Sequence, residues 1–154
     1  MATATELTVA EELAQLVEVA SAAKDWTVTP LGPVSFLLSV PAKGGVRLWV
    51  RCEADEYPTL PPIWRWCDHD GGALDMPHVT PNGGSAFFHG NGVICAPWNR
   101  LAYSKVDSRG PHGEWQISNW KAIPDTKECK TLAAMAIRIA VEACTKFVGM
   151  KGAA

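Results

Sequence analysis

Apolar residues near the start of the chain recur with the period of a helix. Thr8 and Glu11 have the spacing of a capping box, in which a hydroxyl and a carboxyl each bond a free amide at the first turn. Apolar side chains then follow at intervals of three and four residues, which places them on one helical face. These positions are Val9, Leu13, Leu16, Val17 and Ala20. The pattern predicts an N-terminal helix buried along one side.

After Asp25 the period changes to two, and turn residues interrupt it at short intervals. Alternation is clearest in residues 46–52, where every second side chain is apolar. Strands separated by such short turns pair as an antiparallel meander. The four predicted strands cover residues 26–31, 34–40, 46–52 and 63–67.

Periodicity largely disappears from Asp68 to about Asp125, a stretch rich in Gly, Pro, Asn, His and Trp. A long irregular segment in a compact domain is usually functional or disordered, and its aromatic residues favour an ordered functional surface. A second helix is predicted from about Lys127 to Val148. Its apolar stripe consists of Leu132, Met135, Ala136, Ile139, Ala140, Ala143 and Phe147.

Together these elements predict one α+β domain over residues 1–154, because no repeat or linker divides the chain. An N-terminal helix packs with a four-stranded antiparallel meander. A long loop, expected to carry the functional surface, follows, and a C-terminal helix covers the sheet.

Composition and charge narrow the functional classes. Hydrophobic residues make up 47% of the chain and charged residues 19%, which is typical of a globular protein. The net charge of -2 gives no basic surplus for a nucleic-acid partner. The sequence has no apolar run of membrane-spanning length and no export signal at its N-terminus. We therefore expect a cytoplasmic protein with reduced thiols that binds neither nucleic acid nor membrane.

The five cysteines occupy different contexts and contain no CxxC pair. Cys52 lies among the inward-facing residues of a strand and Cys144 on the apolar stripe of the second helix, so both are predicted to be in the core. Cys95 lies in the irregular stretch between Gly92 and Pro97, where the backbone is more often exposed. On these grounds alone, Cys95 is either a small buried residue or a nucleophile, and the buried interpretation is favoured.

A metal-dependent hydrolase, or a thiol hydrolase, is an alternative interpretation of the same stretch. Cys67 and His69 can supply two zinc ligands, but the spacings match no compact zinc-binding motif, so no metal is predicted. The other candidate ligands in the stretch are Asp70, His78, His89, Cys95 and His112.

Three motifs in a fixed order resemble the ubiquitin-conjugating enzyme family, over about residues 6–148. The first is Tyr57-Pro-Thr-Leu-Pro-Pro62, here called the Pro-rich segment; it is followed by the aromatic strand at residues 63–67. By its prolines alone, this segment is a stiff turn at a sheet edge. The second motif is Gly92-Val-Ile-Cys95, and the third is Trp120-Lys-Ala-Ile-Pro124 before the last helix. The long loops and short helical end are similar to divergent bacterial relatives.

The resemblance implies that Cys95 carries a ubiquitin-like protein as a thioester and passes it to an amine, without a cofactor. The implied partners are a ubiquitin-like protein, an activating enzyme and a deconjugating protease of the same operon. The family's His-Pro-Asn motif is altered: His89-Gly-Asn91 places its Asn four residues before Cys95, and Thr80-Pro-Asn82 places its Asn thirteen before. The predicted catalytic residues are Cys95, Asn91 and His89, with Asn82 as the alternative oxyanion-stabilising residue.

A non-catalytic relative is the main alternative function. Such a protein keeps the fold and recruits a ubiquitin-like partner without forming a thioester. The altered His-Pro-Asn motif favours this alternative, whereas the presence of Cys95 argues against it.

Overall fold

The computed structural model describes residues 1–72, 81–83, 86–88, 92–103 and 115–150. Two α-helices and six strands lie in these ranges: α1 (Ala4–Ala22), β1 (Thr27–Gly32), β2 (Ser35–Pro41), β3 (Arg47–Glu53), β4 (Ile63–Cys67), β5 (Pro81–Gly83), α2 (Leu132–Lys146) and β6 (Phe147–Met150). Strands β1 to β4 form an antiparallel sheet in chain order, and α2 packs against it. The predicted α+β architecture of helix, four-stranded meander and helix is confirmed.

Pairing between strands sets the bounds of β1, β2 and β3. Each of these strands begins and ends one residue later than predicted. The β2–β3 ladder runs from Ser35 opposite Glu53 to Pro41 opposite Arg47, so backbone partners at both ends outweigh the apolar alternation. β4 has the predicted bounds.

The N-cap of the first helix lies five residues before the predicted one. Thr3, not Thr8, is the N-cap, and its hydroxyl accepts a hydrogen bond of 3.0 Å from the amide of Glu6. Val9 and Leu16 are fully buried as predicted, but Val17 is 45% exposed. Val19 packs against the core instead, because the buried line along α1 continues three residues beyond Leu16.

The second helix is shorter than predicted at both ends. Thr131 caps it, accepting a 3.2 Å hydrogen bond from the amide of Ala134, so the helix begins at Leu132 rather than near Lys127. After Lys146 the chain becomes extended as β6, which pairs with β5. All seven predicted stripe residues are buried, which confirms the face that α2 turns towards the sheet.

A carboxylate on the buried side of α1 joins three parts of the fold. Glu12 Oε1 accepts a 2.6 Å hydrogen bond from the hydroxyl of Tyr57, in the Pro-rich segment, and a 2.9 Å bond from the amide of Leu132. The Leu132 amide is one of those that have no partner within α2, so an acidic side chain there is favourable. Glu12 therefore fixes the Pro-rich segment against both helices.

Trp120 holds the same segment from its other side. Its indole nitrogen donates a 3.0 Å hydrogen bond to the carbonyl oxygen of Pro58, and its ring centroid lies 6.1 Å from that of Tyr57.

Within the described ranges, no helix is long and apolar enough to cross a membrane.

Replacing Glu12 with Ala should lower the free energy of unfolding by about 1–3 kcal/mol, because the Leu132 amide and the Tyr57 hydroxyl lose their carboxylate partner inside the fold. Urea denaturation measures the change. The matched control is Glu11→Ala on the exposed side of the same helix, which should change stability by no more than about 0.5 kcal/mol. Equal effects of the two substitutions would contradict this account of Glu12.

Candidate functional site

Residues 92–103, here called the Cys95 segment, run along the outer edge of β4. β4 is the last strand of the sheet, so one side of its backbone has no strand partner. The side chain of Asn99 takes that place. Its Oδ1 accepts a 3.0 Å hydrogen bond from the amide of Trp64, and its Nδ2 donates to the Trp64 carbonyl at 3.3 Å. One fully buried side-chain amide thus continues the hydrogen bonding of the sheet.

The same amide also binds the Cys95 segment itself. Its Nδ2 donates a 2.9 Å hydrogen bond to the carbonyl of Ile94, and its Oδ1 accepts a 3.4 Å bond from the amide of Leu101. An Asn side chain has two hydrogens to donate and two lone pairs to accept with, so Asn99 uses its full capacity. It has no hydrogen left to stabilise a developing oxyanion.

The peptide group between Ile94 and Cys95 is held at both of its polar atoms. Asn99 binds its carbonyl oxygen, and its N–H donates a 2.9 Å hydrogen bond to the carbonyl of Ala86. Ile94 and Ala96 are buried on either side, while Cys95 itself is half-buried. The direction in which the Cys95 side chain leaves the backbone is therefore fixed by its neighbours.

Two features turn the chain into and out of this position. Gly92 has φ of 79°, in the left-handed region that glycine adopts without a steric penalty. At the other end, the hydroxyl of Tyr103 donates a 2.5 Å hydrogen bond to the carbonyl of Pro97. Burial raises the pKa of Tyr103 to about 12, so its hydroxyl remains a donor at neutral pH.

Arg100 fastens the Cys95 segment to the Pro-rich segment. Its amide donates to the carbonyl of Pro62 at 2.9 Å, and its Nε donates to the carbonyl of Pro61 at 3.1 Å. Its Nη1 lies 3.3 Å from both the Asp55 and the Glu56 carboxylates. These contacts join the Pro-rich segment to the Cys95 segment, five residues after the second sequence motif.

Three of the other four thiols are unsuited to nucleophilic chemistry. Cys52, Cys67 and Cys129 are buried. Burial raises the pKa of Cys67 to about 12 and that of Cys129 to about 11, and it raises the pKa of Cys52 well above its ordinary value. These groups stay protonated at neutral pH, and the thiolate is the reactive form.

Cys144 is exposed, so the prediction that it belongs to the core is wrong, whereas the prediction for Cys52 is confirmed. Cys144 follows buried Ala143 by one residue, about 100° further around the helix, at the margin of the packed side, where its thiol donates a 3.5 Å hydrogen bond to the carbonyl of Pro41. Cys95 and Cys144 are thus the two cysteines that are not buried.

The predicted partners of Cys95 fall largely outside the described ranges. His89 and Asn91 lie outside them, as does His78. The backbone of Asn82 lies in β5, opposite Gly149 of β6, but its side chain is not among those described. Asn91 and Asn82 both stay predictions for the oxyanion-stabilising residue.

The part of the chain that the structure describes contains no cluster of side chains able to bind a metal ion. No group of three or more His, Cys, Asp or Glu side chains comes together there. Cys67 is only 2% exposed, whereas the His69 side chain is 72% exposed and lies 3.3 Å from the Asp70 carboxylate. The two proposed zinc ligands therefore face different environments.

Sequence reasoning missed Asn99 and Arg100. Both lie in a stretch without periodicity, where a polar residue is normally solvent-exposed, so no sequence signal marks Asn99 as buried. Arg100 is the next residue, and no sequence pattern marks it as a contact to the Pro-rich segment.

Comparison with known proteins adds no relative. The chain matches no protein-family profile, no curated protein and no solved structure. Any functional proposal therefore depends on the motifs and contacts of this chain itself.

Proposed function

We propose that this protein is a ubiquitin-like-protein conjugating enzyme of the divergent bacterial type, with Cys95 as its nucleophile. The observation that carries the proposal is the setting of Cys95. Cys95 is a half-buried residue, its peptide group is bound at both polar atoms, and its neighbours Ile94 and Ala96 are buried. A nucleophile needs this combination of access and fixed position.

Contacts of the Pro-rich segment with its surroundings support the proposal. The Pro-rich segment binds the Cys95 segment through Arg100 and binds Trp120 through the carbonyl of Pro58. The first and third motifs are thus in direct contact, and the second lies in the segment that Arg100 fastens to the first. The order of helix, four-stranded meander and final helix is also consistent with a ubiquitin-conjugating fold.

The proposed reaction has two acyl transfers. The Cys95 thiolate attacks the thioester carbonyl that joins a ubiquitin-like protein to its activating enzyme; a C–S bond to Cys95 forms, and the activating enzyme's thiol leaves. An amine, proposed to be that of a lysine, then attacks the same carbonyl carbon. A C–N bond forms, Cys95 leaves as thiolate, and the amine's proton passes to solvent. A thiolate suits both steps because it is a good nucleophile and a good leaving group.

Each transfer passes through a tetrahedral oxyanion, which a side-chain amide stabilises in many acyl-transfer enzymes. Because the amide of Asn99 is fully bonded, Asn91 remains our candidate, with Asn82 as the alternative. The proposed partners are the activating enzyme, the ubiquitin-like protein and a deconjugating protease of the same operon. The transfer chemistry itself uses no cofactor.

Incubation with an activating enzyme, ATP and a ubiquitin-like protein should give a covalent adduct that excess thiol cleaves. Cys95→Ala should abolish the adduct, and Cys95→Ser should trap an oxyester that resists thiol, because a hydroxyl replaces the sulfur. Non-reducing electrophoresis and intact mass measure both results. The matched control is Cys144→Ser, which removes the other unburied thiol and should leave the adduct unchanged.

An adduct that persists in Cys95→Ala and disappears in Cys144→Ser would contradict the assignment of Cys95. Binding of the ubiquitin-like protein by the parent chain, with no adduct under conditions that load the activating enzyme, would identify the non-catalytic relative instead.

The oxyanion-stabilising residue can be found by separating loading from transfer. Asn91→Ala should slow discharge of a preloaded Cys95 adduct to free lysine by about 100- to 1000-fold, the usual loss for one such donor, while affecting loading less. Single-turnover discharge measures the rate. Exposed Asn119→Ala serves as the control and should discharge at the parent rate. A selective defect in Asn82→Ala, with normal discharge in Asn91→Ala, would transfer the assignment to Asn82.

A further inference from the structure

We propose that Asn99 is the positioning residue for Cys95: its side chain fixes the thiol relative to the sheet edge, and without it the thiol is more accessible but poorly placed for acyl transfer. The acyl-transfer part of this inference rests on the proposed function. The fixing of Cys95 does not.

The first support is that one side chain connects the sheet to the residue before Cys95. Asn99 binds both polar backbone atoms of Trp64, at 3.0 and 3.3 Å, and the carbonyl of Ile94 at 2.9 Å. Trp64 is itself fully buried, and its indole nitrogen lies 3.4 Å from the sulfur of Met135 in α2. The peptide group that leads into Cys95 is thereby joined through Asn99 to the core.

The second support is the burial of the connection. Asn99 is 0% exposed, so any polar group that loses its partner there has no water to replace it. The Ile94 carbonyl depends on Asn99 in the same way, because Ile94 is also 0% exposed. Loss of the Asn99 hydrogens therefore favours rotation of the Ile94–Cys95 peptide group towards solvent, and the Cys95 thiol moves with it.

The consequence for transfer follows from the geometry that acyl transfer needs. The reacting atoms must approach within about 3–3.5 Å along a defined direction, and a misplacement of about 1 Å can cost about 100-fold in rate. A small alkylating reagent has no such requirement, because it diffuses freely to any accessible thiolate. Alkylation and conjugation should therefore respond to loss of Asn99 in opposite directions.

Asn99→Asp is the sharpest substitution, because Asp has nearly the same shape. It can still accept from the amides of Trp64 and Leu101, but it has no hydrogen to donate when ionised and a single hydrogen when protonated. In either state it cannot donate to the carbonyls of both Ile94 and Trp64. The control for general destabilisation is Thr126→Val. It removes another fully buried side-chain bond, the 2.6 Å bond from the Thr126 hydroxyl to the carbonyl of Trp120.

The experiment measures alkylation of each thiol by iodoacetamide under native conditions, with peptide mass spectrometry to assign the sites. All variants carry Cys144→Ser, so that Cys95 is the one cysteine that is not buried. In Asn99→Asp, the alkylation rate of Cys95 should rise by about fivefold or more, because the parent residue is half-buried and a buried acceptor left without its donor favours local opening by about that factor. The buried thiols Cys52, Cys67 and Cys129 should stay protected.

In Thr126→Val, any increase should affect Cys95 no more than the three buried thiols. Alkylation of Cys95 at the parent rate in Asn99→Asp would overturn the proposal. So would a rise at all four thiols together, because that result indicates general unfolding rather than a local release.

The second measurement is discharge of preloaded Cys95 to lysine, with the activating enzyme, ATP and ubiquitin-like protein used above. Asn99→Asp should discharge about 100-fold more slowly than the parent although its thiol is more accessible. Discharge at the parent rate would overturn the positioning role. If the parent forms no adduct, the proposed function fails, and the alkylation rates still decide whether Asn99 fixes Cys95.

Discussion

The hydrogen bond from Asn99 to the carbonyl of Ile94 is the interaction on which the arrangement around Cys95 depends. It completes the fixing of the Ile94–Cys95 peptide group, whose N–H is bound by Ala86. Without it, the Cys95 segment would follow the edge of β4 without a polar connection from Ile94 to that strand. Because the amide also binds Trp64 on both backbone atoms, the position of Cys95 is set by the sheet rather than by its own loop.

Around this connection, a few long-range contacts join segments that are distant in sequence. Arg100 binds the Pro-rich segment, Trp120 holds that segment from its other side, and Glu12 joins it to the start of α2. Each of these contacts uses a backbone carbonyl or amide as one partner, so it constrains the course of the chain as well as the side chain. A rigid support of this kind lets an irregular stretch carry a reactive group at a defined place.

The sequence predicts the meander and both helices because their apolar periods are long and regular. It misplaces the cap of α1, since two Thr-x-x-Glu patterns occur and the first, starting at Thr3, lies outside the apolar pattern. It misses β5 and β6, because strands of three and four residues leave no detectable alternation. Glu12 could have been found, since it lies three residues after Val9 and four before Leu16, on the buried face of α1.

Asn99 could not have been found in this way. It is polar, it lies in a stretch without a period, and its partners Ile94 and Trp64 are set by tertiary contacts rather than by spacing.

The central claim is that the peptide group between Ile94 and Cys95 is held at both its carbonyl oxygen and its N–H. Amide hydrogen exchange of Cys95, measured by NMR, tests this claim most directly. The account predicts slow exchange of this amide, comparable to that of Val50 in the core of β3. Exchange of the Cys95 amide at the rate of an unstructured peptide, while the Val50 amide remains protected, would contradict it.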